Sequence, residues 1–327
     1  MDEERYAVRP FVDADFEEYT AMHNRMFPDY PISVEVFRNE WASLRLGPEP
    51  PFRIVVTERA SGAMVASGGL VRNPREDDPH RPWAFLDVDP GHRHRGIGTY
   101  LWDAVRVEAE RRGATGLRAR CRAEPPEFFE FLRRRGFVER RRSWISELDL
   151  SRARLDGADA AEAALRAQGI EFTTLAAEGA DSPGVLHRVH ELSSATGIDV
   201  PRLGQYTPTS FAEFRQLDLA GEGFDPAGWM LAKVKDADVG VSYGFRNLAD
   251  PTRFEQAYTA TQREYRGRGV AWVLKARLIR YAAAHGFERI STSNDSLNEP
   301  MWALNQRLGF ERSSVRLAAE CEFGPPR

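Results

Sequence analysis

The stretch GHRHRGIGTY, residues 91–100, places Arg93 and Arg95 just before Gly96 and Gly98, between an apolar run and a helical pattern. Its hexad Arg93-His94-Arg95-Gly96-Ile97-Gly98 follows the pattern R-x-x-G-x-G/A, and so does Arg266-Gly267-Arg268-Gly269-Val270-Ala271, 173 positions later (266 minus 93). A second landmark keeps the same distance. Arg-Gly-Phe at 135–137 and Leu-Gly-Phe at 308–310 are also 173 positions apart (309 minus 136). Two landmarks with one offset indicate a duplicated supersecondary unit, because chance glycines would not preserve the spacing between motif and Gly-Phe.

The hydrophobic period changes in the same order in both halves. Ahead of the first motif, FRIVVTE (52–58), MVASGGLV (64–71) and PWAFLDV (82–88) read as strands, rich in apolar and β-branched residues and bounded by turn residues. After it, Leu101, Val105 and Ala109 fall at helical spacing and Gly113 supplies the stop. A short strand at ATGLRARC, a helix at PEFFEFLRRRG and a last hairpin through FVERRRSWISELDL complete the half. The second half repeats this with strands GWMLAKV, VGVSYGF and FEQAYTAT, the helix AWVLKARLIRYAAAHG, the strand RISTSN, the helix EPMWALNQRLG and a final strand. Helical patterns precede each strand set, at 13–27 and 34–44 and at 182–197 and 209–219, and residues 151–169 read as a polar connecting helix. The expected fold class is α/β with mixed sheets, in two tandem domains over 1–155 and 156–327.

The chain's 327 residues and 42% hydrophobic content suffice for two cores. A net charge of −4 gives no overall field to gather nucleic acid or an anionic membrane surface, and mildly favours a cationic substrate. Cys121 and Cys321 stand far apart and outside any metal-ligand spacing, so neither a disulfide framework nor a metal site is expected. The opening MDEERYAVRP carries acidic charge and lacks an apolar segment of signal-peptide type, and no apolar run approaches 18 residues. The reading is a cytoplasmic protein, without a membrane or nucleic-acid partner, as a monomer or homodimer.

The glycine-rich turn has a physical use. A helix that starts directly after a strand presents unpaired N–H groups and the positive end of its dipole, and glycines let an anion approach that backbone closely. The expected guest is a pyrophosphate, with Arg93 and Arg95 adding charge-assisted contacts.

This context resembles the GNAT superfamily of acyl-coenzyme A dependent N-acetyltransferases. The resemblance rests on Phe85-Leu86-Asp87-Val88, the motif Arg93 to Thr99 and the late Phe131-Leu132-Arg133-Arg134-Arg135-Gly136-Phe137 in the first half. In the second half it rests on Tyr258-Thr259-Ala260-Thr261, Arg266 to Ala271, and Asn298-Glu299-Pro300-Met301 leading to Leu304-Asn305-Gln306-Arg307-Leu308-Gly309-Phe310. The layout is similar to bacterial two-domain acetyltransferases of the mycothiol synthase type.

The resemblance implies acetyl-coenzyme A as cosubstrate, no metal, and direct attack of a small-molecule amine on the thioester. It implies that the strands flanking the motif helix part and that the pantetheine arm lies in the gap. The implied cofactor residues are Leu86, Val88, Arg93, His94, Arg95, Gly96, Ile97, Gly98 and Thr99 in the first half. In the second they are Thr259, Thr261, Arg266, Gly267, Arg268, Gly269, Val270, Ala271 and Asn298, where the first half has Pro125. Many family members place a tyrosine acid four residues before the Gly of Gly-Phe; here Leu132 and Asn305 stand there. Glu255 lies where some members carry a base, and the 173-residue offset matches it to Pro82. Glu255 and Asn305 are therefore the candidate catalytic residues, and the second half is the expected catalytic one. The competing reading is a non-catalytic acyl-coenzyme A sensor, suggested by the missing tyrosine.

Other features have simpler readings. Gly240-Val241-Ser242-Tyr243-Gly244 matches the G-x-S-x-G nucleophile pattern, but no helix follows the serine as that elbow requires. His187 and His190 fall three apart on one predicted helix, as surface residues or substrate contacts. Cys121 reads as a small buried side chain, and Arg133–Arg135 with Arg140–Arg142 as a solvated face or a contact to a coenzyme or nucleic-acid phosphate.

Overall fold

The computed structural model describes residues 1–46, 49–76, 78–221 and 223–324. Along the chain run β1 (Tyr6–Pro10), α1 (Phe16–Met26), α2 (Val34–Leu44), β2 (Phe52–Glu58), β3 (Met64–Val71), β4 (Trp83–Val88), α3 (Ile97–Arg111), β5 (Gly116–Arg122), α4 (Glu127–Arg133) and β6 (Val138–Asp149). Then follow α5 (Ala158–Ala167), β7 (Glu171–Thr174), α6 (Leu175–Glu178), α7 (Pro183–Gly197), α8 (Phe211–Phe214), β8 (Trp229–Val234), β9 (Ala237–Arg246), β10 (Arg253–Thr261), α9 (Val270–Ala284), β11 (Arg289–Asp295), α10 (Glu299–Leu308) and β12 (Glu311–Glu322). Among the described residues no helix is long and apolar enough to cross a membrane.

The chain forms two compact units. Unit 1 comprises residues 1–142, 202–207 and 316–327, and unit 2 comprises 143–201 and 208–315. In unit 1 the strands lie in the order β1-β2-β3-β4-β5-β12, antiparallel except where β4 runs parallel to β5. In unit 2 the order is β7-β8-β9-β10-β11-β6, and β10 runs parallel to β11. Each sheet is thus mixed, with its one parallel pair bridged by the long helix that follows the glycine turn.

The strand beside that parallel pair is exchanged. In unit 1, β5 pairs with Arg316–Glu322 of β12, not with the strand that directly follows α4. In unit 2, β11 pairs with Ser143–Asp149 of β6. Either strand can satisfy the backbone groups of an open edge, and the hydrophobic pattern of a strand does not say which edge it closes. A single division near residue 155 therefore meets a chain that passes between the units four times.

Three further local readings change. The last hairpin expected in the first half is one unbroken strand, Val138–Asp149. Two edge strands, β1 and β7, precede the three expected in each half; they are only 5 and 4 residues long, too short to show a period. The connecting helix shortens to Ala158–Ala167 and is not polar all round, since Ala158 and Leu165 are buried in the core beneath α9. Elsewhere periodicity and burial agree: Leu101, Val105 and Ala109 of α3 are fully buried.

Candidate functional site

Two backbone turns repeat with the fidelity of the sequence offset. His94 and Gly96 have φ of 60° and 79°, and Gly267 and Gly269 have φ of 74° and 95°. Gly96 and Gly269 cap α3 and α9, each 15 residues long. The left-handed conformation is the reason for glycine at three of these four positions. In each unit the turn's arginine reaches back to the preceding strand: Arg93 Nε donates to the Val88 carbonyl at 3.2 Å, and Arg266 Nε to the Thr261 carbonyl at 3.0 Å.

In unit 1 the turn opens onto a cleft. β4 and β5 pair only at Trp83–Arg118 and Ala84–Ala119 and then part. The gap is a cleft of about 380 Å³ whose wall includes Leu86, Val88, Arg93, His94, Gly96, Gly98 and Thr99. Trp102, Phe128, Phe131, Leu132 and Phe137 supply an apolar floor, and Asp87 and Cys121 also line it. Of the expected cofactor residues in this half, Ile97 is buried in the core and Arg95 turns to the Tyr6 hydroxyl at 3.3 Å. Burial pushes the Cys121 thiol up to about 11, which leaves it an unreactive wall residue. Asp87 accepts from the Tyr19 hydroxyl at 2.8 Å.

In unit 2 the parallel pair is longer, from Arg253–Arg289 to Gln256–Thr292, and parts after it. A β-bulge between Gln256 and Tyr258 inserts one residue into β10 against β9, whereas β4 pairs with β3 without interruption. Upstream of the bulge the correspondence therefore changes by one residue. Gln256, paired to Thr292, answers to Ala84, paired to Ala119, and Glu255 answers to Trp83, not to Pro82 as the uniform offset required.

The seam of unit 2 is polar. Lys275 is 2% exposed and its Nζ donates to Gln256 Oε1. Gln256 Nε2 donates to Thr259 Oγ1 at 2.8 Å and Ser242 Oγ at 3.1 Å, and Thr292 Oγ1 donates to the Gln256 carbonyl at 3.1 Å. Asn305 is fully buried and donates through Nδ2 to Asn294 Oδ1; its Oδ1 and Thr261 Oγ1 have no hydrogen-bond partner among the described residues. Asn298 caps α10, accepting from Met301 N–H at 3.4 Å. Arg268 lies over the Tyr265 ring, Val270 is core, and Ala271 is in the first turn of α9.

Glu255 is buried and lies on the strand face opposite Gln256. Its Oε1 accepts from Asn247 Nδ2 at 3.0 Å and lies 3.9 Å from Arg253 Nη1. Lys275, Gln256 and Trp102 escaped the motif reading because they belong to no motif. The signal was available in the offset: Trp102 and Lys275 are both sixth in their fifteen-residue helices.

The remaining features take their structural readings. Ser242 lies inside β9, bonded to Thr259 Oγ1 at 2.8 Å, with no helix after it. His187 stacks on Phe211 with centroids 3.8 Å apart, and His190 Nε2 pairs with the Thr209 carbonyl at 2.8 Å. In the arginine cluster, Arg133 and Arg134 pair with Glu130, Arg142 pairs with Glu139, and Arg140 lies 3.6 Å from Glu320.

The acetyltransferase (GNAT) family model matches the chain twice, over residues 13–137 and 192–310. No curated protein matches it in sequence. Among solved structures, a tandem GNAT protein from the clavulanic acid biosynthesis pathway is 23% identical with a TM-score of 0.75, covering 98% of this chain and 100% of that one. A GCN5-related N-acetyltransferase from Sphaerobacter thermophilus is 19% identical with a TM-score of 0.70, covering 98% and 97%. At these identities the two structures speak to the fold alone. With both halves matched by the family model, the chain belongs to the GNAT acetyltransferase family, as a mixed α/β protein of two GNAT domains.

Proposed function

We propose that the protein moves an acetyl or short acyl group from acyl-coenzyme A to a primary amine by direct attack. The observation that carries this reading is the cleft of unit 1, opened where β4 and β5 part, with an apolar floor and ending at the Arg93–Thr99 turn. An apolar slot with backbone groups on one wall suits a pantetheine arm, and the dipole of α3 with Arg93 suits its pyrophosphate. The acyl-coenzyme A supplies an activated thioester; the chain must hold it, accept the amine's proton and stabilise the sulfur that departs.

The two units support unequal roles. Unit 1 lines its seam with Trp102, Leu132 and Phe137, which bind but carry no proton. Unit 2 places Lys275 and Asn305 where unit 1 has Trp102 and Leu132, adds Gln256 where unit 1 has Ala84, and holds Glu255 across the strand, and the bulge in β10 removes one residue from the ladder at the point where the strands part. This distribution favours unit 2 as the catalytic domain, with Glu255 receiving the amine proton, and unit 1 as a domain that holds cofactor.

Calorimetry with acetyl-coenzyme A on the intact chain, Gly96→Glu and Gly269→Glu, followed by thiol release with a panel of primary amines, tests it. Each glutamate puts bulk and negative charge where the pyrophosphate belongs. The expected result is the loss of one site in each variant, with amine-dependent thiol release lost in Gly269→Glu. Undiminished binding in both variants overturns the reading, and thiol release lost only in Gly96→Glu moves the chemistry to unit 1.

A further inference from the structure

The tyrosine that would protonate the departing thiolate is replaced by Asn305 in unit 2 and Leu132 in unit 1. What else in unit 2 can meet that sulfur? Lys275 projects from α9 toward the end of the parallel pairing, where its Nζ bonds to Gln256, the last residue of β10 paired with β11. Its Nζ also lies 5.0 Å from the centre of the Phe310 ring. In unit 1 the same helix position is Trp102, and Trp102 is a wall of the cleft. Lys275 thus occupies the position that lines the proposed coenzyme cleft in the sister domain. Next to this seam lies a second observation, the fully buried Asn305 whose Oδ1 has no hydrogen-bond partner among the described residues. A buried amide oxygen without a donor is costly unless a ligand group supplies one.

We propose that Lys275 is the group that receives the coenzyme A thiolate in unit 2, by its charge and by giving a proton. This rests on the reading that unit 2 binds acyl-coenzyme A. In the step, the amine lone pair forms the C–N bond, the C–S electron pair stays with sulfur, and a proton passes from Lys275 Nζ to sulfur. The proton lost by the new amide nitrogen reaches solvent through Glu255, and the lysine recovers one from solvent.

The electrostatic setting fits the task. Burial lowers the Lys275 ammonium to about 7, so near neutral pH it can both hold and release a proton. Several charged groups of the elements around it are engaged with other partners: Glu255 and Arg253 of β10 lie 3.9 Å apart, Arg289 of β11 pairs with Asp250, and Arg307 of α10 stacks on Trp272.

The test uses the Gly96→Glu chain, in which unit 1 is emptied, with coenzyme A as the probe. Thiolate formation by the bound coenzyme is followed by ultraviolet absorbance as pH rises. An ammonium beside the sulfur brings the thiolate out about one pH unit or more below free coenzyme A. Adding Lys275→Met returns it to the free value, while calorimetry shows the coenzyme still bound. Independently of that variant, the Lys275 ammonium resonance in nitrogen-15-labelled Gly96→Glu protein titrates higher once coenzyme A is added, the reciprocal of the thiol's fall. Identical thiol titration with and without Lys275, or a lysine titration that coenzyme A does not move, overturns the proposal. So does a Gly96→Glu chain that binds no coenzyme while the wild type binds one equivalent, an outcome that leaves the unit 1 cleft standing. A wild-type chain that binds no coenzyme instead overturns the cofactor reading as a whole.

Discussion

Asp199 accepts hydrogen bonds from both Arg263 and Arg266, and these two guanidiniums hold its carboxyl down at about 2. Arg266 begins the glycine turn of unit 2, so a carboxylate stands beside the place where a pyrophosphate would lie. Unit 1 carries no acid in this relation to Arg93 among the described hydrogen bonds; Arg93 instead lies over Phe128. Asp199→Asn is expected to tighten coenzyme A binding by unit 2 roughly fivefold, the scale of one exposed charge interaction. Calorimetry on the Gly96→Glu background checks this, and the gain must shrink as salt is raised. Weaker binding would mean that Asp199 serves to hold Arg266 in its binding pose.

Arg118 and Glu76 are both 3% exposed, with Nη1 and Oε1 3.5 Å apart, and Arg118 also reaches Glu320 at 2.8 Å and Asp78 at 3.2 Å. Glu76 in turn accepts from Gly204 N–H at 2.7 Å, which ties residues 202–207 into unit 1. Removing Arg118 takes away the guanidinium that the buried Glu76 shares with Glu320 and Asp78. Arg118→Met is expected to cost about 3–5 kcal/mol in urea unfolding. A loss under 1 kcal/mol would show that the cluster relaxes into solvent.

Lys275 gives stability a pH dependence whose sign follows from its depressed value. Its ammonium titrates near 7 in the folded chain and near the ordinary 10.5 when unfolded. Between those limits the unfolded state binds more protons, so this residue's contribution to stability rises with pH. Lys275→Met lacks the burial cost. It is expected to be more stable than wild type at pH 7, with the difference narrowing by about 2 kcal/mol by pH 9 at 1.4 kcal/mol per unit. Parallel denaturation curves at pH 7, 8 and 9 measure the narrowing; a constant difference would place the lysine's titration elsewhere.

Gly267 has φ +74°, and a Cβ built there meets nothing within 4 Å, so substitution isolates the cost of the left-handed backbone. Gly267→Ala is expected to lose about 1 kcal/mol. His94, at φ 60°, bears that cost already, and His94→Gly is expected to be neutral or stabilising within about 1 kcal/mol. Thermal unfolding of both variants checks the contrast, and equal losses in the two would mean that the His94 ring contributes contacts exceeding its strain.

Much of the architecture was legible from residues close together in the chain. Arg93–Gly98 and Arg266–Ala271 are local motifs, and their turns repeat residue for residue with positive φ at 94 and 96 and at 267 and 269. The stripe of Leu101, Val105 and Ala109 marked the buried face of α3 because helix period alone decides which side faces a core. The match of Glu255 to Pro82 failed because a bulge is invisible to a uniform offset: one inserted residue in β10 changes which residues face α9.

The sequence by itself determined that one fold occurs twice, where the two motif helices α3 and α9 begin and which arginines stand at their starts, since turn chemistry and helix period act over a few residues. Only the tertiary structure decided which strand closes each sheet, because Ser143–Asp149 and Arg316–Glu322 can both satisfy an open edge and neither carries a local mark of its partner. Only the tertiary structure, too, brought Lys275, Gln256 and Asn305 to one seam and Trp102, Leu132 and Phe137 to the other. The character of each seam is set by side chains from separate helices and strands, which acquire a common environment only when the sheet and its helices pack.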